Sequence, residues 1–482
     1  MLRDLIKEGG LYTLANLLTK GISLLLIPFY TTYFTPFDYG IIGILSVFGV
    51  IFTVIFSLQL NQSLARYVGD ESLDEELRIK YASSAINFVI ITYSSLTILA
   101  LLFPEPIINL ISEEQKIEIG TYRLALLSIS INGIFYILGV YMRFIRMTLA
   151  FSISFFIHAV LNIGLTFYLI IGLDFGIDGI YLASIFITPI ILIYQFIKLK
   201  SKFRLYIGKK EIYQLIGFGI FLIPAGLSQV LLNFADRIFI VKMDGFNQAG
   251  LYDVGAKFSS IIALVVTGFS MAITPIIYNK YQDESTKSEL SRIFHLYLGI
   301  GGGFIFILSA FSLETITLFT NESYTNAYLV MPILYLSTFI SGIHMFAPGL
   351  LLKKKTATYG LIVLSSLLIN IFLNLILIPK YGNQGAAVAT LIGTTINVSI
   401  LFYFSQKHFS FKIRHSTITL FVLSFIALSF AYYHDPFESL SMNSIVYKLG
   451  LAGIFAATIF FIRLVGLKKL RELLSFNKNK RS

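Results

Sequence analysis

The sequence predicts an all-α membrane protein of about fourteen transmembrane helices, built as two six-helix repeats followed by two further helices. An apolar excess, a charge that alternates from loop to loop, and an internal echo of one segment in another carry that expectation. Of 482 residues, 56% are apolar and 13% are charged, which leaves too little polar surface to cover a water-soluble fold.

A helix that crosses the hydrocarbon needs about 20 mostly apolar residues. Windows of that kind lie at 9–32, 40–62, 81–104, 120–142, 150–172, 176–197, 214–240, 248–277, 292–317, 326–350, 357–379, 384–406, 415–433 and 444–464. The first resembles a signal peptide, with Arg3 and Lys7 ahead of an apolar run. Lys20 interrupts that run and no small-residue cleavage site follows, so it reads as a span. Pro28, Pro189, Pro224, Pro275 and Pro332 fall inside windows, where a missing N–H leaves a carbonyl unpaired and permits a bend. In the ninth window Gly299 and Gly301 to Gly303 allow close helix approach.

Loop charge sets the orientation, because cytoplasmic loops carry the excess of Lys and Arg. The even loops hold Arg66, Arg78 and Lys80, then Arg143 and Arg146, then Lys198, Lys200, Lys202 and Arg204, and later Lys353 to Lys355 and Lys407 to Arg414. The odd loops hold few bases beside acids such as Glu105, Asp174, Asp244 and Glu322. Both termini are therefore expected on the cytoplasmic side, which requires an even number of spans. The net charge of +11 is accounted for by this signal and by anionic headgroups, so nucleic acid is not an expected partner. With no cysteine, disulfides, thiolate metal sites and cysteine nucleophiles are excluded. With no Trp, the 28 tyrosines are left to form the interfacial belt.

The echo joins the segment from Asn370 through Pro379, Gly382 and Gly385 to Thr390 with the one from Asn162 through Gly176 and Gly179 to Ser184. Gly176 aligns with Gly382, and the turn Asp38-Tyr39-Gly40 with Gly250-Leu251-Tyr252. Both offsets are close to six spans. The expected organisation is a first lobe at 1–200, a second at 201–411, and two helices with a basic tail at 412–482. An even number of spans per repeat preserves orientation, so the lobes are expected around a pseudo-twofold axis along the membrane normal, with a substrate site between them.

Charges at bilayer depth cost roughly 2.5–3.5 kcal/mol each on insertion scales and persist mainly where they face a wet cavity or a partner. Lys20 falls about 16 Å from either end of its span, near the bilayer centre, with no acid within a turn. Lys257 and Arg237 flank the outer loop between the seventh and eighth spans, with Asp236 and Asp253 at similar depth. Asp253 and Lys257 stand at i,i+4 and are able to neutralise each other; Asp236 and Arg237 read either as site residues or as an interfacial cluster with the arginine snorkelling outward. Arg66, Arg143 and Arg146 read as orientation charges or as an inner cavity mouth. His158 with Asn162, and Asn370 with Asn374, share helix faces at i,i+4 and serve as interhelical glue or substrate contacts. Glu314 and His344 complete the set as candidates for a coupling ion beside Asp236 and Asp253. No Gly-rich phosphate loop, metal-ligand spacing or serine elbow occurs, and the acidic cluster Asp70, Glu71, Asp74, Glu75 and Glu76 reads as a solvated loop. Transport, not catalysis, is the expected activity.

The run Tyr33-Phe34-Thr35-Pro36-Phe37-Asp38-Tyr39-Gly40, followed after one span by Gln62-Ser63-Leu64-Ala65-Arg66-Tyr67, resembles the opening of the polysaccharide (O-antigen type) flippases of the multidrug/oligosaccharidyl-lipid/polysaccharide exporter superfamily. Asp236-Arg237, Gly250-Leu251-Tyr252, Pro275 and the stretch from Asn370 to Ala387 extend the resemblance along the chain. It implies a fourteen-helix, two-lobed flippase of the bacterial cell membrane. Such a protein moves an undecaprenyl-diphosphate-linked oligosaccharide from inner to outer leaflet through a cationic cavity, without a cofactor, driven by Na+, H+ or the membrane potential. Lys20 and Lys257 occupy places where relatives put cavity-facing Arg or Lys. Membrane lipids, a polysaccharide polymerase and glycosyltransferases are the implied partners. A lipid II flippase and a multidrug antiporter of the same superfamily are the alternatives.

Overall fold

A computed structural model describes residues 21, 24, 26–69, 73–111, 117–280, 283–353, 355–413, 418, 419, 422, 426 and 441–461. Every regular element among them is a helix. Among the described residues nine helices are long and apolar enough to cross a membrane, and two of these are far longer than one crossing requires: Lys209–Ser270 with 62 residues and Ala357–Gln406 with 50. Each breaks at one glycine with positive φ, Gly245 (φ 84°, ψ 177°) and Gly382 (φ 53°, ψ −134°). These glycines fall in the gaps at 240/248 and 379/384 between expected spans, so each long element is two crossings joined by a tight reversal that a Cβ would strain. The 20-residue helix Met442–Phe461 stands where the fourteenth window ends the series. The protein is an all-α, multi-pass membrane protein.

The chain forms two compact units, Met1–Asp253 and Val254–Ser482. The first reaches past the expected boundary at residue 200 because the helix Lys209–Gly219 packs onto Leu60–Val68 and Glu75–Leu102. Tyr81 donates its hydroxyl to Gln214, Gly208 N–H donates to Ser84 Oγ at 3.0 Å, and Asn87 Nδ2 donates to Arg204 O at 2.9 Å.

Within this unit the helix Pro36–Phe56 starts on a capping box. The Thr35 hydroxyl accepts from Asp38 N–H at 3.3 Å, and the Asp38 carboxylate accepts from Thr35 N–H at 2.9 Å. Pro36 takes the first turn, where a missing N–H is no loss. The span expected at 40–62 is not one helix. It stops at Phe56, Leu58 and Gln59 take left-handed φ of 46° and 55°, and a new helix runs Leu60–Val68. Two glycines clasp this break: a Cβ at Gly219 would lie 2.4 Å from Leu58 O, and one at Gly226 would lie 2.5 Å from Gln59 Nε2. Ser63 Oγ adds a bond to Leu215 O at 2.8 Å. Beyond the break Leu60, Leu64, Val68, Ala82, Ile86 and Leu138 form a closed core, held by close van der Waals packing.

Of the prolines expected as bends, Pro189 sits inside its helix. Pro28 and Pro332 instead occupy first turns, and Pro224 follows a short 3-10 segment at Ile220–Leu222 that separates two helices.

In the second unit the glycines of the ninth span act as packing surfaces. A Cβ at Gly301 would meet the Phe339 ring at 2.5 Å, within a π-helical turn at Tyr297–Gly301. Tyr297 donates to Phe339 O at 2.6 Å and stacks on its ring at 4.6 Å. Phe294 gathers Phe346, Phe402 and Phe411 around it.

Candidate functional site

Arg237 is held among acids. Its Nε donates to Asp253 Oδ1 at 2.7 Å and Nη1 approaches Asp236 Oδ1 at 3.4 Å, while Tyr252 donates its hydroxyl to the other Asp236 oxygen. The three charged side chains are 12%, 8% and 7% exposed respectively. Phe234 and Tyr252 rings lie 5.1 and 5.8 Å from the guanidinium carbon, and Asp253 packs against Gly43, whose Cβ would stand 3.4 Å from its carboxyl carbon. Of the two readings the sequence leaves open for Asp236 and Arg237, the outward-snorkelling arginine does not fit this geometry, in which Arg237 is buried against both carboxylates. The Gly245 reversal lays Asp253 beside Arg237, so the charge is matched by two carboxylates inside the protein. The same geometry shows Asp253 engaged sixteen residues back as well as standing one turn from Lys257, which is half-buried in the second unit.

Elsewhere in the first unit Arg66 remains exposed, with its guanidinium carbon 5.0 Å above the Phe218 ring. His158 joins a polar chain inside the helices: its Nε2 lies 3.0 Å from Thr188 Oγ1, Thr188 donates to Asn132 Oδ1 at 3.4 Å, and Asn132 Nδ2 donates to Ser184 Oγ at 2.6 Å. The imidazole stacks on Phe135 at 4.6 Å. Asn132 was not singled out by sequence reasoning. Its only local signal is Ser128 at i−4, whose carbonyl it also contacts. Asn162, one turn beyond His158, is half-buried. Lys20 lies outside the described residues.

In the second unit, buried Asn374 donates Nδ2 to buried Asn370 Oδ1 at 3.1 Å, a bond within one helix rather than between two. His344 Nε2 lies 2.8 Å from Tyr359 Oη. Glu314 accepts from Lys448 Nζ at 2.8 Å, with side chains 18% and 4% exposed, while its second oxygen is enclosed without a hydrogen bond. Lys448 belongs to the helix Met442–Phe461 and stands as a charge inside the window 444–464, but its pairing with Glu314 had no signal in the sequence, since the two lie 134 residues apart. Lys448→Met should therefore lower stability by about 3 kcal/mol, because it strands a buried carboxylate, and adding Glu314→Gln should recover most of that. Thermal melts in detergent will read both, and a single mutant that melts like the parent would show the pair to be solvated.

The same unit carries an apolar groove of about 820 Å³, lined among others by Phe294, Phe339, Val398 and Phe402. Its outer wall is Ile418, Val422 and Ile426, spaced four apart so that they share one helix face.

Comparison with known proteins places this geometry. The family model described as "Polysaccharide biosynthesis protein" matches residues 5–280, more than half of the chain, and the MatE model matches 222–376. An uncharacterized membrane protein of Methanocaldococcus jannaschii is 20% identical over 98% of both chains. Among solved structures, the lipid II flippase MurJ in an inward closed conformation superposes with a TM-score of 0.70 at 19% identity, covering 93% of this chain and 97% of that one. An inward-facing multidrug resistance MATE family transporter of the MOP superfamily gives 0.65 at 15% identity, covering 83% and 94%. The chain shares its fold with these two structures and belongs to the polysaccharide biosynthesis protein family.

Proposed function

We propose that the protein is a flippase for a polyprenyl-diphosphate-linked oligosaccharide, undecaprenyl in a bacterial cell membrane, which it carries from inner to outer leaflet for O-antigen, capsule or exopolysaccharide synthesis. The observation that carries this reading is the apolar groove in the second unit, lined by Phe294, Phe402, Val422 and Ile426. A cargo with a long lipid tail needs a hydrocarbon-like track, whereas a compact drug does not. The fold likeness to a lipid II flippase supports a lipid-diphosphate cargo in the same direction.

In this reading the protein works by alternating access. Lys20, Lys257 and Arg66 offset the desolvation of the diphosphate, Asn162 and Asn370 border the sugars, and no bond is broken. Arg237 supports the scaffold through its two carboxylates. Each Lys acts as a compact point charge rather than a bidentate fork, which suits a cargo that must be released. A negative interior assists outward movement of an anion by about 2.3 kcal/mol per charge per 100 mV, so the membrane potential suffices as the drive; Asp236, Asp253 and Glu314 are already engaged by bases, leaving His344 as the candidate for a coupled proton. Both termini face the cytoplasm, and polymerase and glycosyltransferases act beside the protein.

Lys20→Ala should abolish surface polysaccharide in a strain lacking the native gene while membrane levels stay normal. Polymer at wild-type levels would remove Lys20 from the site. Rescue of peptidoglycan precursor export by the intact chain would instead select lipid II as cargo, and a gain of drug resistance would select the multidrug alternative.

A further inference from the structure

A cavity of different character, of about 350 Å³, opens in the first unit at the helix ends that the loop charges assign to the cytoplasmic side. Three cations line it: Arg78, Arg146 and Lys202. They come from three separated stretches of chain. Among the described residues one carboxylate, Glu75, shares the wall; its side chain is 67% exposed and stands 4.0 Å from Lys202 Nζ, a loose rim contact of the kind that contributes little in water.

Two features show a built site. Arg78 sits in the first turn of Glu75–Leu102, and its Nε is enclosed by protein without a hydrogen-bond acceptor. A guanidinium N–H shut away from water is costly unless an acceptor arrives. Arg146 closes the helix Ile119–Phe144 through a pair of bonds, Met147 N–H to Met142 O at 2.9 Å and Arg146 N–H to Arg143 O at 3.1 Å. That is the Schellman pattern, whose left-handed position is usually glycine. Here it is arginine at φ 58°, so the backbone tolerates an unfavourable residue that delivers a guanidinium to the cavity wall. Tyr141 ties down the third side by donating to Lys202 O at 2.5 Å.

We propose that this cavity binds a phosphate oxyanion, held by Arg78 and Arg146 with Lys202 at the rim. The planar donor forks of two arginines match phosphate oxygens, and helix ends at the membrane boundary bring either an anionic lipid headgroup or a soluble phosphate within reach. Binding here does not depend on which molecule the chain transports.

The test uses the purified full chain in dodecylmaltoside, titrated separately with sodium pyrophosphate and with phosphatidylglycerol in mixed micelles. Matched sodium chloride and phosphatidylcholine are the controls, and thermal midpoint is the readout. At least one phosphate probe should raise the midpoint above its control; response to the lipid alone assigns a headgroup, and response to pyrophosphate alone a soluble ligand. Arg146→Gly should melt at or above the parent without probe, since glycine suits that backbone, yet bind roughly tenfold more weakly, the loss expected for one charge-assisted contact. Arg78→Gln should show the same weakening. No stabilisation by either probe, or an unchanged response in both variants, would overturn the site.

Discussion

Arg237→Met will be the most destabilising conservative-volume substitution in the first unit, at about 3–5 kcal/mol. The expectation rests on asymmetry. Arg237, Asp236 and Asp253 are each at most 12% exposed, so the arrangement is tolerated only while opposite charges and hydrogen bonds replace lost hydration. Removing the base leaves two carboxylates facing one another in a medium where repulsion is poorly screened. Tyr252, which donates to Asp236, satisfies one oxygen but brings no charge. The double variant Arg237→Met with Asp253→Leu should lose clearly less than the sum of its parts, because it removes a charge pair rather than half of one. Detergent melts of the two single variants and the double give the cycle. If Arg237→Met stays within about 1 kcal/mol of the parent, well below the cost of stranding a buried charge, then water reaches the guanidinium and the cluster is not structural.

What could be read from the chain alone divides along a physical line. Hydropathy is a local property, and the windows that fall on described residues lie where helices stand, most of 9–32 and 415–433 being outside them; the breaks at Gly245 and Gly382 lie in the gaps between windows. The halt at Leu58 and Gln59 was hidden because neither residue is a glycine or a proline, and the polar residues Ser57, Gln59, Asn61 and Gln62 read as the end of a span rather than as a break within it. Its cause lies in Gly219 and Gly226, far along the sequence. Pairings followed the same rule. Asp236, Asp253, Arg237 and Glu314 were all visible as charges out of place, yet which base meets which acid depends on chain reversals and on a helix 134 residues away. Depth marks a residue as constrained. It does not say whether the constraint is a partner or a ligand.

Gly250→Ala should cost at least about 3 kcal/mol, beyond the usual range for a core enlarged by a single methylene. The two Tyr/Gly turns that announce the internal repeat touch each other in the first unit. A Cβ on Gly250 would lie 1.8 Å from Pro36 O and 3.0 Å from Gly40 N, and one on Gly40 would lie 2.0 Å from Phe246 O. Both obstacles are backbone, so no rotamer change relieves them, and the helices would have to part by more than an ångström. Parting them would also loosen the Phe37 and Phe246 rings, whose centroids are 5.4 Å apart. The fold supplies its own control in Gly217, in the helix Lys209–Gly219, where an added Cβ meets nothing within 4 Å; Gly217→Ala should raise stability by up to about 1 kcal/mol through helix propensity. A Gly250→Ala protein that elutes and melts like the parent would mean that the two turns do not approach this closely in the membrane.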